Sequence, residues 1–107
     1  MITPVENMYL AELDGTQLNT KKEFMRAMND AFGFPPYFSD NWDSLHELMR
    51  DPFWITDNKI VLRITDSVHF SGKLRVYVLD FLNEVKEHLE NPNTKQELNY
   101  SLNIELD

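Results

Sequence analysis

A segment near the middle of the chain places two aromatic residues directly before a series of acidic ones. Tyr37 and Phe38 follow the stiff Pro35-Pro36 pair and precede a predicted helix. At about 100° per residue, four carboxylates fall on one face of that helix: Asp40, Asp43, Glu47 and Asp51. Carboxylates beside an aromatic turn are suited to binding a basic protein surface.

Less specific explanations of the same acids remain open. Asp40 and Asp43 lie in the predicted first turn, where the helix dipole stabilises carboxylates without any function. Glu47 is three residues before Arg50, so a local ion pair is an alternative. An ordinary solvated helix face is a further one.

Other chemistry has weaker support in the sequence. Asp43, His46 and Glu47 could meet on one side of a helix, but no recognised metal-binding motif accompanies them. Asp43 and Glu47 could also act as a hydrolytic carboxylate pair, yet an exposed helix offers no cleft to raise a pKa. We therefore predict a protein that is not an enzyme and that uses no metal or cofactor.

Length and composition narrow the class of protein. A chain of 107 residues predicts one domain over 1–107, a monomer when free. Ten basic against 18 acidic residues leave a net charge of −8, which disfavours nucleic-acid binding and favours a basic partner. The chain has no cysteine, no signal-peptide pattern and no apolar run long enough for a membrane span. These features predict a cytoplasmic protein without membrane association.

Local signals predict the elements that hold this segment. Thr20 and Glu23 have capping-box spacing at the start of a helix over 21–32, which Gly33 ends. Ser39 is the predicted N-cap of a second helix, over 40–51, with Trp42 on its buried face. A third helix is predicted from apolar residues at helical spacing: Leu74, Tyr77, Val78, Phe81, Leu82, Val85 and Leu89.

Three strands complete the predicted fold, over 8–13, 59–64 and 100–106. The resulting order, β-α-α-β-α-β, predicts parallel pairing in a small two-layer α/β sandwich. The most apolar strand, around Val61, should be central, with the two alternating strands at the edges.

The stretch Leu18–Asp51 resembles the barstar family, inhibitors of barnase-type bacterial ribonucleases. The resemblance rests on the helix over 21–32, the Pro-Tyr-aromatic turn and the pattern Asn41-x-Asp43-x-Leu45-x-Glu47. The predicted order of elements is also similar to the barstar fold.

This resemblance implies an inhibitor that blocks a basic ribonuclease by presenting carboxylates in place of an RNA phosphate. It implies partner-binding roles for seven residues: Tyr37, Phe38, Asn41, Asp43, His46, Glu47 and Glu84. Of these, Phe38 is expected to close over the core and Tyr37 to remain at the surface. His46 stands where the family's best-known member has an aromatic residue, and Ser39 replaces a glycine. The alternative is therefore an adaptor or antitoxin-like module that uses the same acidic face for a partner other than a ribonuclease.

Overall fold

A computed structural model of the chain describes residues 8–91 and 100–107. Within these residues, the elements follow the predicted order β-α-α-β-α-β. The strands are β1 (Met8–Asp14), β2 (Lys59–Thr65) and β3 (Ser101–Leu106), and the helices are α1 (Lys21–Phe32), α2 (Trp42–Arg50) and α3 (Gly72–Glu90). Short 3-10 turns follow β1 and β2, at Gly15–Gln17 and Ser67–His69.

The three strands form one parallel sheet in the order β1-β2-β3, so the strand around Val61 is central, as predicted. Right-handed crossovers would place all three helices on the same face of a sheet with this strand order. Burial along β1 agrees, because Ala11 and Leu13 are buried whereas Leu10, Glu12 and Asp14 are exposed. The fold is therefore the predicted two-layer α/β arrangement.

The hydrophobic core lies between the sheet and the helices, and every element contributes to it. Its largest fully buried side chains include aromatic and methionine residues from α1 and α2: Phe24, Phe32, Met25, Met28 and Met49. Each buried apolar side chain contributes about 1.5–3 kcal/mol relative to an exposed one. The helix faces opposite this core are left to solvent.

Among the described residues, no helix combines the length and apolar character that a membrane span requires.

Helix α1 begins and ends where its capping residues predict. The Thr20 hydroxyl accepts a hydrogen bond from the Glu23 N–H at 3.1 Å, and the Glu23 carboxylate accepts one from the Asn19 N–H. Gly33 has a left-handed backbone conformation (φ 58°), and its N–H donates a hydrogen bond to the Asn29 carbonyl. These contacts satisfy backbone groups that a bare helix end leaves unpaired.

The last carbonyls of α1 are bound by side chains from two other elements. The Tyr9 hydroxyl donates to the Ala31 carbonyl at 2.7 Å, and the Trp54 indole N–H donates to the Phe32 carbonyl at 2.8 Å. Partial burial raises the pKa of Tyr9, which keeps its hydroxyl protonated as a donor. The end of α1, and thus the start of the turn after it, has a fixed position relative to the sheet.

Candidate protein-binding site

The turn between α1 and α2 is supported by an aromatic cluster. Phe34 is buried, stacks on Phe32 at 5.9 Å and meets the edge of Trp54 at 5.6 Å. Phe38 packs on Phe34, with ring centroids 4.6 Å apart, and so closes over the core as expected. Tyr37, the neighbouring residue, is 61% exposed. The turn therefore anchors itself through Phe38 and presents Tyr37 to solvent.

The start of α2 differs from the prediction by two residues. The N-cap is Asn41 rather than Ser39, and the first helical residue is Trp42. The Asn41 side-chain oxygen accepts from the Ser44 N–H at 2.8 Å, and its amide donates to the Ser39 carbonyl. Asparagine and serine are comparable N-caps, so side-chain preference alone does not choose between them.

Ser39 has a different role, inside the turn. Its N–H donates to the Ser44 hydroxyl at 3.2 Å, and its own hydroxyl donates to the Tyr37 carbonyl at 3.2 Å. Together with the Asn41 cap, these bonds connect the turn to the first turn of α2. The backbone that carries Tyr37 is thereby fixed to the helix that carries the acids.

The predicted row of four helical acids is wrong at both ends. Asp40 has a left-handed backbone (φ 46°), which ends helical geometry before Asn41. It lines a shallow cavity of about 250 Å³ with the α1 residues Lys22 and Arg26, away from the α2 acids. Asp51 is the C-cap and lies beyond the last helical residue.

The acids on α2 itself are Asp43 and Glu47, and both are exposed. Positions i and i+4 lie above one another on a helix surface, with Cβ atoms about 6 Å apart. Within the described residues, neither carboxylate takes part in a hydrogen bond or ion pair, and the alternative Glu47–Arg50 pair is not formed. Asp43 and Glu47 can therefore accept donors from outside the chain.

His46 lies between these acids and helix α3. Its ring meets the Phe81 ring edge-on, with centroids 4.5 Å apart, and is partly buried. It borders a cleft of about 280 Å³ between α2 and α3 that Glu84 and His88 also line. The fold thus brings Glu84 beside the α2 site, although 37 residues of sequence separate it from Glu47.

Trp42 is only partly buried, whereas the sequence predicts a core position. Its ring stacks on Phe24 at 5.6 Å, lies 5.7 Å from Phe81, and is 4.4 Å from the ring of Tyr77. Tyr77 is 50% exposed and was not among the predicted site residues. Its helical spacing places it at the margin of the apolar stripe of α3, where sequence alone does not separate core from surface.

The chemistry of the surface formed by the turn and α2 is suited to binding cations. It carries exposed carboxylates on a helix, an exposed phenol at one end and partly buried rings beside them. Within residues 8–91 and 100–107, no three His, Cys, Asp or Glu side chains are grouped as metal ligands. The acids are exposed, so water screens their charge. Charge-assisted hydrogen bonds to them become strong only when a partner excludes that water.

The parallel three-stranded sheet, with its helices on one face and an exposed acidic helix, defines a small two-layer α/β protein. Residues 8–101 match the family model described as "Barstar (barnase inhibitor)". The chain belongs to the barstar family, and the match extends well beyond the segment 18–51 that carries the resemblance. A comparison with curated proteins gave no match.

Proposed function

We propose that this protein inhibits a basic ribonuclease by occupying its active site with the carboxylates of α2. The observation that carries the proposal is the pair Asp43 and Glu47, exposed, one helical turn apart and unpaired within the described residues. A ribonuclease that cleaves RNA must bind a phosphate with cationic side chains. Two carboxylates at helical spacing offer those side chains a negative charge and oxygen acceptors, as a phosphate does.

The rigidity of the surface supports this role. The Asn41 cap fixes the start of α2, and Leu45, Leu48 and Met49 fix its inner face in the core. Because the backbone that carries the acids is already fixed, less of the interaction energy is lost to entropy on binding. The acids project from the surface and could enter an active-site cleft.

The other partner-binding residues take distinct parts in the proposal. Tyr37 supplies a large, exposed ring that can stack in the partner's cleft. Asn41 acts as a positioning residue, since its amide is used in the turn and the cap. His46 and Glu84 flank the α2 acids from the cleft toward α3 and would meet the rim of the partner.

A second candidate is a basic partner that is not a barnase-type ribonuclease. The observation that favours it is His46, which lies between α2 and α3 beside the α2 acids. An imidazole there gives different recognition from the aromatic residue that the family's best-known member carries. Both candidates use the same acidic face and neither makes the protein an enzyme.

Inhibition of barnase separates the two candidates. RNA cleavage by barnase is measured with increasing amounts of the wild-type protein and of the double variant Asp43→Ala/Glu47→Ala. We expect stoichiometric inhibition by the wild-type protein and none by the double variant at the same concentration. Uninhibited cleavage at a micromolar excess of wild-type protein would contradict inhibition of a barnase-type ribonuclease and favour the second candidate.

A further inference from the structure

Two apolar residues at the start of α3 lie outside the buried stripe of that helix. Val76 is 61% exposed and Tyr77 is 50% exposed. The buried side chains of α3 form one stripe: Val78, Phe81, Leu82, Val85 and Leu89. At 100° per residue, Val76 lies about 160° from the centre of that stripe, on the solvent side. A β-branched residue there gains neither burial nor helix propensity.

These residues line a groove with a volume of about 640 Å³. Its lining is Gly72, Lys73, Arg75, Val76, Tyr77 and Asp80. The Arg75 guanidinium donates to the carbonyls of Ser67 and Phe70, at 2.9 and 2.8 Å, and so holds the adjoining 3-10 turn against α3. The groove is a shallow, open part of the α3 surface, where Val76 and Tyr77 lie beside the charged side chains Lys73, Arg75 and Asp80.

The groove is continuous with the candidate protein-binding site. Tyr77 contacts Trp42, which immediately precedes Asp43 at the start of α2. Asp80 follows Val76 by one helical turn, and Glu84 follows Asp80 by another. An apolar patch therefore adjoins two acidic helix faces, and a partner that covers Asp43 lies next to the groove.

We propose that the groove is a second contact site for the same basic partner, and that it receives a large apolar side chain flanked by a lysine or arginine. The apolar side chain would cover Val76 and Tyr77, and the neighbouring cation would meet Asp80. This inference rests on the proposed function. Its physical basis is that a stable interface covers about 800 Å² on each partner and has an apolar centre within a polar rim. The α2 acids alone provide the charged part of such an interface.

The test is the variant Val76→Ser, measured for binding to barnase by stopped-flow association and by dissociation. We expect dissociation to become about tenfold faster, which corresponds to the loss of one buried valine side chain. The association rate and its salt dependence should stay unchanged, because no charge is altered. Urea unfolding should match that of the wild-type protein, since the Val76 side chain is largely in solvent.

The matched control is Met8→Ser, which removes a 49% exposed apolar side chain at the start of edge strand β1. Its dissociation rate should remain within twofold of the wild-type rate. If wild-type protein inhibits barnase and Val76→Ser dissociates at the wild-type rate, the groove proposal is refuted and the proposed function stands. If the wild-type protein does not bind barnase, inhibition of a barnase-type ribonuclease and the groove proposal that rests on it are refuted together.

Discussion

The rings of Trp42 and Tyr77 lie 4.4 Å apart, between centroids, and are tilted by 51°. Trp42 also stacks on Phe24 of α1 and meets Phe81 of α3, so its indole joins α2 to both of the other helices. A helix of nine residues such as α2 is marginal in isolation and depends on tertiary contacts of this kind. The position of the acidic face is thus set by aromatic packing beneath its first turn.

The variant Glu47→Ala should weaken binding to the partner by about 3 kcal/mol, because a cation buried at the interface loses its counter-charge. Glu47 is exposed in the free protein, so unfolding by urea should be unchanged. Inhibition titrations against barnase measure the loss.

The control for this variant is Glu12→Ala, which removes the same charge from β1. Glu12 is on a sheet strand and lies 3.9 Å from Arg63, a distance at which a surface ion pair contributes little. Equal losses of affinity for the two variants would show that net charge, rather than the position of Glu47, determines binding.

Association should be fast at low ionic strength and should slow as salt is added. The net charge of −8 attracts a cationic partner over a distance that salt shortens, to about 8 Å at physiological ionic strength. Dissociation should change much less, since contacts within the interface are shielded from salt. Stopped-flow rates between 10 and 300 mM salt test this, and an association rate independent of salt would contradict electrostatic steering.

Tyr37 and Phe38 should respond oppositely to truncation, although they are neighbours. Tyr37→Ala should weaken binding by about 2 kcal/mol and leave stability unchanged, because its ring is 61% exposed in the free protein. Phe38→Ala should reduce stability through loss of its contact with Phe34. Urea unfolding combined with inhibition titrations separates the two effects, and a destabilised Tyr37→Ala would contradict the exposed position.

The fold was predictable where the signals are local. The start and end of α1 follow from Thr20, Glu23 and Gly33, whose capping bonds involve residues no more than four positions apart. The central position of β2 follows from its apolar composition, because a strand with a neighbour on each side is more buried than an edge strand.

The start of α2 was not predictable for a physical reason. Ser39, Asp40 and Asn41 are all residues that cap helices well, so the sequence offers three adjacent starts. The choice depends on the packing of Phe38 and on the left-handed backbone of Asp40, which are properties of the folded turn. The exposure of Tyr77 similarly depends on where Trp42 lies on the neighbouring helix.

Removal of the α2 cap should destabilise the protein. Asn41→Ala deletes the acceptor of the Ser44 N–H and the bond to the Ser39 carbonyl, with an expected loss of about 1 kcal/mol in the free energy of unfolding. Asn41→Asp keeps the capping oxygen and should retain most of the stability. Urea unfolding of both variants is the measurement, and equal losses for alanine and aspartate would contradict a capping role.

The end of α3 is joined to edge strand β3 by two hydrogen bonds between Leu102 and the side chains of Glu90 and Lys86, which also bond to each other. The Glu90 carboxylate accepts from the Lys86 ammonium at 2.7 Å and from the Leu102 N–H at 3.0 Å, while Lys86 also donates to the Leu102 carbonyl at 2.8 Å. An edge strand leaves such backbone groups open to pairing with other chains. Here the two side chains satisfy both groups of Leu102.

These contacts make the free energy of unfolding depend on pH in the acid range. Partial burial opposes ionisation of Glu90, but the Lys86 ammonium and the Leu102 N–H outweigh it and lower the pKa of Glu90 below its ordinary 4.5. A carboxylate whose pKa is lower in the folded than in the unfolded protein contributes its full stabilisation above the unfolded-state pKa. That contribution is lost as the pH falls through the folded-state pKa. Glu90→Gln should therefore lower the free energy of unfolding by about 1 kcal/mol at pH 7, a figure reduced for the solvent exposure of Glu90. The loss should become progressively smaller below pH 4.5. Urea unfolding of Glu90→Gln and of the wild-type protein at pH 7 and pH 3 is the measurement. The control is Glu87→Gln, which changes an exposed α3 residue without a hydrogen bond among the described residues. A loss of unfolding free energy in Glu90→Gln that is equal at both pH values would contradict this prediction.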